Sequence, residues 1–420
     1  SNKEGTFDIT GKTPEQFKSG EVAYSLGGIY GQEIGKDKSP ILNGKTVYQN
    51  TVYLGCCEKY QGDITYVYSN KEANPVYSGN HNFENGICKF CGVDYEPAKL
   101  VDGYYQIGNA GNLLWFAQQV NNGNLDINAV LTTDIVVNEK VLNADGTLNS
   151  NLTNPIKWIP IGNESNKYTG TFDGNNHTIS GLYNDENTNY VGLFGYNDSG
   201  TIKNVGIIDS YFKGKNYVGG VCGYNDNSGT IENSYNTGSV SGALEFVGGV
   251  CGYNDNSGTI ENSYNTGSVS GLSNNVGGVC GSNSNGGTIK NSYNIGSVSG
   301  KSNVGGVCGD NSSNTTIENC YNTGSVSGLG NRVGGVCGYN WNGTIENSYN
   351  IGSVSGKSNV GGVCGYNERG TIENSYNTGS VSGSSQIGGV CGSNYSTIEN
   401  SYYNNSVYSG KDVGYNNGTV

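Results

Sequence analysis

The stretch VGGVCGYNDNSGTIENSYNTGSVSG stands at residues 218–242 and returns unchanged at 247–271. Aligned on Gly-Val-Cys-Gly, the unit recurs seven times, placing Cys222, Cys251, Cys280, Cys308, Cys337, Cys364 and Cys391 at intervals of 27–29 residues. An earlier copy, YVGLFGYNDSGTIKNV at 190–205, carries Phe194 in the cysteine column. Periods of this size belong to solenoids, propellers and arrays. Helical repeats are excluded, because each unit holds several glycines and no i, i+3, i+4 apolar stripe. A propeller blade needs four strands in roughly 40 residues, more than one unit can supply. The period therefore predicts an all-β chain, a right-handed parallel β-helix (β-solenoid) in which each repeat is one coil of three short strands.

The columns of the alignment fit that reading. The first strand is Val-Gly-Gly-Val-Cys-Gly, followed by an Asn/Asp/Ser/Gly turn. The second begins at Thr-Ile, with Ile231, Ile260, Ile289, Ile317, Ile345, Ile372 and Ile398 facing inward. Asn233, Asn262, Asn291, Asn319, Asn347, Asn374 and Asn400 then bend the chain and are expected to stack as an amide ladder. An inward Ser column follows, in which Cys320 and Val205 replace Ser. The third strand supplies Val240, Val269, Val298, Val326, Val354, Val381 and Val407. Parallel coils stack about 4.8 Å apart, so eight span about 38 Å. A coil packs best on its own copy, which accounts for the unchanged repetition.

In-register cysteines at that spacing sit farther apart than the ~3.8 Å between Cβ atoms that a disulfide prefers. The column therefore reads as buried free thiols. Two columns point outward. One is acidic: Glu232, Glu261, Glu318, Glu346, Glu373 and Glu399, interrupted by Lys290. The other is aromatic: Tyr235, Tyr264, Tyr293, Tyr321, Tyr349, Tyr376 and Tyr402. These tyrosines either cover the sheet face or form a binding surface for a glycan or a host surface protein.

The chain divides into residues 1–99, an opening module at 100–190, and the repeats at 191–420. In the opening module, NAGNLLWFAQQVNNG reads as a helix from Ala110 to Val120, capped by Asn109, that closes the end of the solenoid. In the first, small α+β region, Thr13, Pro14 and Gln16 give a helix start, with the helix running to about Leu26. There the Cys88-x-x-Cys91 knuckle, His81, and Cys57 (or its neighbour Cys56) make a Cys₃His set suited to a structural zinc ion. A disulfide among the same cysteines is the alternative.

The segment IPIGNESNKYTGTFDGNNHTISGLYNDENTNYVGLFGYNDSGTIKNVGI, followed by VGGVCGYN…GTIENSYNTGSVSG coils, resembles the GLUG-repeat proteins over about residues 100–420. That resemblance implies a secreted or cell-wall bacterial protein with an adhesive or spacer role. The H-x-F-x-N-G-x-C-x-x-C-G core at 81–92 resembles a segment recurrent in secreted Firmicute proteins. No H-E-x-x-H motif is present.

The net charge of −13 argues against a nucleic-acid partner, and no apolar run is long enough to span a bilayer. Catalysis on a β-helix needs unlike residues side by side, whereas these coils vary only in turns and linkers. The one irregular polar set is Asp173, His177 and Asp185. A non-catalytic monomeric surface protein is expected, with a carbohydrate-active β-helix enzyme as the alternative. VGYNNGTV at 413–420 begins a further coil, so the natural chain is expected to continue. Elemental analysis should find about one zinc per chain, and all 12 cysteines should titrate as thiols after denaturation. Missing thiols without zinc would assign the N-terminal cysteines to disulfides.

Overall fold

The computed structural model describes residues 83–88 and 95–420, together with the backbone of Ile41–Leu42, Lys45–Thr46, Thr51–Val52 and Tyr68–Ser69. The chain divides into two compact units, Ser1–Pro97 and Ala98–Val420. In the first, Phe83–Glu84 and Ile87–Cys88 form an antiparallel hairpin. Asn85 and Gly86 both adopt positive φ, 50° and 72°, as the tight Asn-Gly turn requires. The helix expected after Thr13 lies outside the described residues.

The second unit opens with an antiparallel pair, Lys99–Val101 and Tyr104–Ile107. Helix α1 (Ala110–Asn121) follows, and the Asn109 side chain accepts from the Asn112 amide at 2.8 Å as its N-cap. Leu113, Phe116, Ala117 and Val120 are buried, the face expected from sequence. Phe116 lies 6.0 Å from Phe172, which lies 5.3 Å from Phe194. This aromatic column fills the opening coils, and Phe194 pairs in register with Cys222, where the thiols take over. Among the described residues, no helix is long and apolar enough to cross a membrane.

From there the chain is a parallel β-solenoid of about 11 turns. Each coil contributes to five sheets rather than three strands. They carry the Thr-Ile-Glu, Tyr-Asn, Ser-Val-Ser, Val-Gly and Cys-Gly segments. The expected Val-Gly-Gly-Val-Cys-Gly strand is broken in two, Val247–Gly248 and Cys251–Asn254 in one coil. Glycine makes that bend feasible. A Cβ on Gly248 would overlap the Cys251 carbonyl oxygen, and one on Gly249 would strike the Asn265 side chain. The Val column also ends early: Val407 is 47% exposed and lies in no strand. Tyr403 there replaces the coil's usual inward asparagine, its ring lies over Gly389, and the chain leaves the coil path.

The isoleucine, valine and cysteine columns are buried and in register through the repeat, Ile260 on Ile289 and Cys251 on Cys280. The strongest polar order is also interior. Eight buried asparagines, Asn197, Asn225, Asn254, Asn283, Asn311, Asn340, Asn367 and Asn394, and the exposed Asn416 at the end form one ladder. Each Nδ2 donates to the Oδ1 of the next at 2.7–3.0 Å. A second ladder joins Asn236, Asn265, Asn294, Asn322, Asn350 and Asn377 at 2.8–2.9 Å. Its members also donate to a carbonyl two residues on, as Asn294 does to Gly296 at 2.7 Å.

The ladder expected at Asn233 and its copies is a different structure. Those asparagines turn a corner at φ of 46–53° and are bridged only here and there, for example Asn319 to Asn291 at 3.4 Å. Asn→Ala within a buried ladder orphans polar groups and should cost roughly 1–3 kcal/mol. Denaturant melts should therefore show Asn294→Ala strongly destabilised, whereas Asn291→Gly, at an exposed corner, should change little.

Candidate ligand-binding face

The tyrosine column emerges as a ring ladder on the Tyr-Asn sheet. Tyr235, Tyr264, Tyr293, Tyr321, Tyr349 and Tyr376 stack with centroids 4.7–5.0 Å apart and planes within 6°. Tyr402 continues the register and is 68% exposed. Each ring covers much of its neighbour's face. What the ladder offers outward is a strip of ring edges and hydroxyls. In the neighbouring acidic column, Lys290 stands between like charges and bonds Glu318 at 3.0 Å.

A second aromatic arrangement lies where the Val-Gly and Cys sheets meet, at positions that no column of the repeat marks. Immediately before the Val-Gly pair of each coil (Ile-Gly after Gln386), one residue adopts positive φ. Several coils use Asn there (Asn275, Asn303 and Asn359, φ 51–59°), the side chain that tolerates this conformation. Others hold Tyr190, Tyr217, Phe246 and Arg332 in the same region, φ 57–65°. A bulky residue so placed costs on the order of 1 kcal/mol or more. Tyr190, Tyr217 and Phe246 pile face to face at 5.0 and 5.1 Å, with planes within 6°.

They interlock with the residues two positions after the cysteine. Tyr196 stacks on Tyr224 at 4.6 Å, and Phe246 meets Tyr253 edge-on at 4.8 Å. Carboxylates of the next coil accept from the tyrosine hydroxyls, Asp226 from Tyr196 at 2.7 Å and Asp255 from Tyr224 at 2.8 Å. Burial, then the adjacent carboxylate, holds both phenols protonated far above their ordinary range. Farther along, the Arg332 guanidinium lies 4.3 Å over Tyr339 and 4.9 Å from Tyr366, and Tyr339 donates to Glu368 at 2.8 Å.

Between these halves the pattern breaks. The in-register order on the Cys sheet is Tyr253, Ser282, Asp310, Tyr339. Two coils thus lack a ring, and three coil steps separate the flanking tyrosines by about 14 Å at the backbone. In the neighbouring column Asn275 and Asn303 stand between Phe246 and Arg332, joined by a 2.8 Å bond. Ser282 and Ser312 both donate to Asp310 Oδ2, at 3.1 and 3.0 Å. Among the described residues Oδ1 has no hydrogen-bond donor. Burial pushes this carboxyl above its ordinary value, against the two serine hydroxyls and the Arg332 charge. A cavity lined by Thr237, Ser239, Thr266 and Ser268 lies elsewhere, under the 144–146 loop.

The irregular set Asp173, His177 and Asp185 is not brought together as one site. Asp173 pairs with Lys203 at 3.4 Å, His177 Nδ1 lies 3.3 Å from Asp134, and Asp185 pairs with Lys157 at 3.1 Å. The column cysteines are buried free thiols whose Sγ–H donates to a carbonyl two residues on, at 3.0–3.4 Å. Burial pushes the Cys320 thiol to about 12 and raises Cys222, Cys280, Cys337 and Cys391. Of the zinc candidates, Cys88 is buried at the end of its hairpin. Cys57, His81 and Cys91 lie outside the described residues.

These features define a parallel β-solenoid whose interior is uniform and whose outer face at one corner differs from coil to coil. Four stretches of the chain match the model of the GLUG motif, at residues 214–241, 247–270, 330–355 and 356–382. The interval between the second and third matches contains Ser282 and Asp310. A comparison with curated proteins returns no match. Among solved structures, the chain is similar to a protein from Bacteroides ovatus provisionally named an immunoglobulin A1 protease. The identity is 22%, with TM-score 0.38 over 76% of this chain and 85% of that one.

Because folding raises the Asp310 pKa above its unfolded value, ionisation at neutral pH works against the fold. That stability is present below the unfolded pKa and lost as pH rises through the folded pKa. Asp310→Asn should therefore melt higher than the parent at pH 7, with the difference vanishing below about pH 3.8, as thermal scans at the two pH values would show.

Proposed function

We propose that this protein is a non-catalytic, secreted or cell-surface binding module that presents its interlocked aromatic face to a glycan. The carrying observation is the strained corner. Tyr190, Tyr217, Phe246 and Arg332 occupy a left-handed backbone position that Asn fills in other coils. Stability alone favours Asn at that position, so the bulky side chains point to a role outside the fold. Clustered tyrosines with adjacent carboxylates suit sugars, whose C–H faces stack on rings and whose hydroxyls need strong acceptors.

The alternative is a glycoside-cleaving β-helix. Hydrolysis needs two carboxyl groups free to flank one bond, about 5–9.5 Å apart. Here Asp226 and Asp255 are each engaged by a tyrosine hydroxyl and an asparagine amide. Asp310 is left as the single carboxylate with an unengaged oxygen on the interrupted stretch, which favours binding over cleavage.

The Tyr235 column is the competing surface, but its rings largely spend their faces on one another. A glycan array should show binding by the parent and by a Tyr293→Ala, Tyr321→Ala, Tyr349→Ala variant, and loss of at least about tenfold in Tyr217→Ala, Phe246→Ala. Loss confined to the first variant would move the site to the ring ladder. Absence of any glycan binding would remove the reading in favour of a protein partner or a spacer.

A further inference from the structure

We infer that the corner between the Ser-Val-Ser and Val-Gly sheets is a ridge for peripheral binding to an anionic lipid surface. At this corner each coil passes through a glycine that packs against the inward valine of the strand to come. A Cβ on Gly242 or Gly271 would overlap Cγ2 of Val247 or Val276. The residue after the glycine is left on the outside. In successive coils it is Lys215, Ala243, Leu272, Lys301, Leu329 and Lys357. Backbone bonds between coils hold this column in place. The Leu272 amide donates to the Gly242 carbonyl at 2.9 Å, Lys301 to Ser273 at 3.0 Å, and Leu329 to Gly300 at 3.0 Å. Five coil steps span about 24 Å.

The leucines are what the fold does not explain. Leu329 is 87% and Leu272 80% exposed, the highest values for large hydrophobic side chains among the described residues. Leu244, beside Ala243, is 41% exposed. Ser384 fills the same position after Gly383 in a later coil, so the corner asks only for a residue that tolerates water. Leucine gains nothing there from folding. Two leucines about 9.6 Å apart on a hydrogen-bonded edge are apolar surface presented to a partner.

Charge indicates which partner. The segments that follow these glycines, 215–217, 243–246, 272–275, 301–303, 329–332 and 357–359, hold four cations against one carboxylate, Glu245. Lys213 lies beside them, in register with Ser241. Among the described residues Lys213, Lys215, Lys301 and Lys357 form no ion pair, whereas Lys157, Lys167, Lys203 and Lys290 do. The glutamate column stands on the Thr-Ile-Glu sheet, separated from this corner by the Tyr-Asn sheet in one direction and the Cys sheet in the other. A chain of net charge −13 thus gathers unpaired lysines on the edge that bears its most exposed leucines.

An anionic bilayer accepts both kinds of side chain. Lysines meet the phosphates at headgroup level, and leucines enter the acyl boundary beneath them. A protruding edge also suits a deformable surface. A soluble polyanion would engage the lysines and leave the leucines in water.

Flotation of the full chain with vesicles tests this, using phosphatidylcholine alone, phosphatidylcholine with phosphatidylglycerol, and polygalacturonate as a lipid-free polyanion. The parent should partition onto the anionic vesicles at least about tenfold more strongly than onto neutral ones, and less so as salt rises. Lys301→Glu with Lys357→Glu should lose at least about tenfold, and Leu272→Ser with Leu329→Ser at least about fivefold. All four side chains are exposed, so both variants should melt with the parent. No binding of the parent to anionic vesicles, or undiminished binding by both variants, would overturn the ridge. Equal partition onto neutral vesicles would overturn the anionic preference. Loss in the lysine variant alone, with polygalacturonate bound as tightly as the vesicles, would overturn lipid in favour of a soluble polyanion. The glycan array contains no lipid, so its outcome and this one are independent.

Discussion

Register is the constraint on which this fold depends. Each coil hydrogen-bonds to the next with like residues superposed, so every inward position is occupied by a side chain that must tolerate its own copy about 4.8 Å away. Few side chains tolerate this without penalty. Isoleucine and valine do so by dispersion, and the cysteine column by packing as a small apolar group. Asparagine does so because an amide is both donor and acceptor and can bond to an identical neighbour indefinitely, as Asn225, Asn254 and Asn283 do. Glutamate does not, which is why its column points outward and why Lys290 relieves it at one level.

The interior asparagines also explain the shape of the coil. The Gly249 column is glycine because the amides of the Asn265 column pass where a Cβ would stand. Asn265 in turn places Tyr264 outward, since adjacent residues on a strand face opposite ways. The ring ladder is thus partly a consequence of the amide ladder beneath it. Its regularity reflects packing, and regularity by itself offers a ligand nothing that one coil does not.

Discrimination requires unlike neighbours, and the solenoid admits them where the backbone is least committed to its copies. The corner before the Val-Gly strand has a left-handed residue that needs no particular side chain beyond conformational tolerance. Its occupants, with the residues two positions after the cysteine, form the variable face. The interruption at Ser282 and Asp310 leaves the inward columns intact, with Cys280 on Cys308 and Asn283 bonded to Asn311 at 2.9 Å. The outer face can therefore change without disturbing the core.

How much of this was legible from sequence follows from which interactions repeat. Period, coil stacking, inward columns and free thiols are one-dimensional properties, because copying a residue at a fixed interval already specifies its neighbour above and below, and the Asn109-capped helix is legible because its cap and apolar face are local. The division into five sheets, the two buried amide ladders and the departure of Val407 depend on which side of each bend a residue faces, which no period records. The variable face is harder still. Phe246 and Tyr253 lie seven residues apart in a stretch that reads as turn and strand, and they meet at 4.8 Å only because the chain bends at the glycines between them. Sequence alone determined that like would lie on like along the axis. Tertiary structure alone decided which unlike residues meet around the coil, because that is set by the bends and not by the repeat.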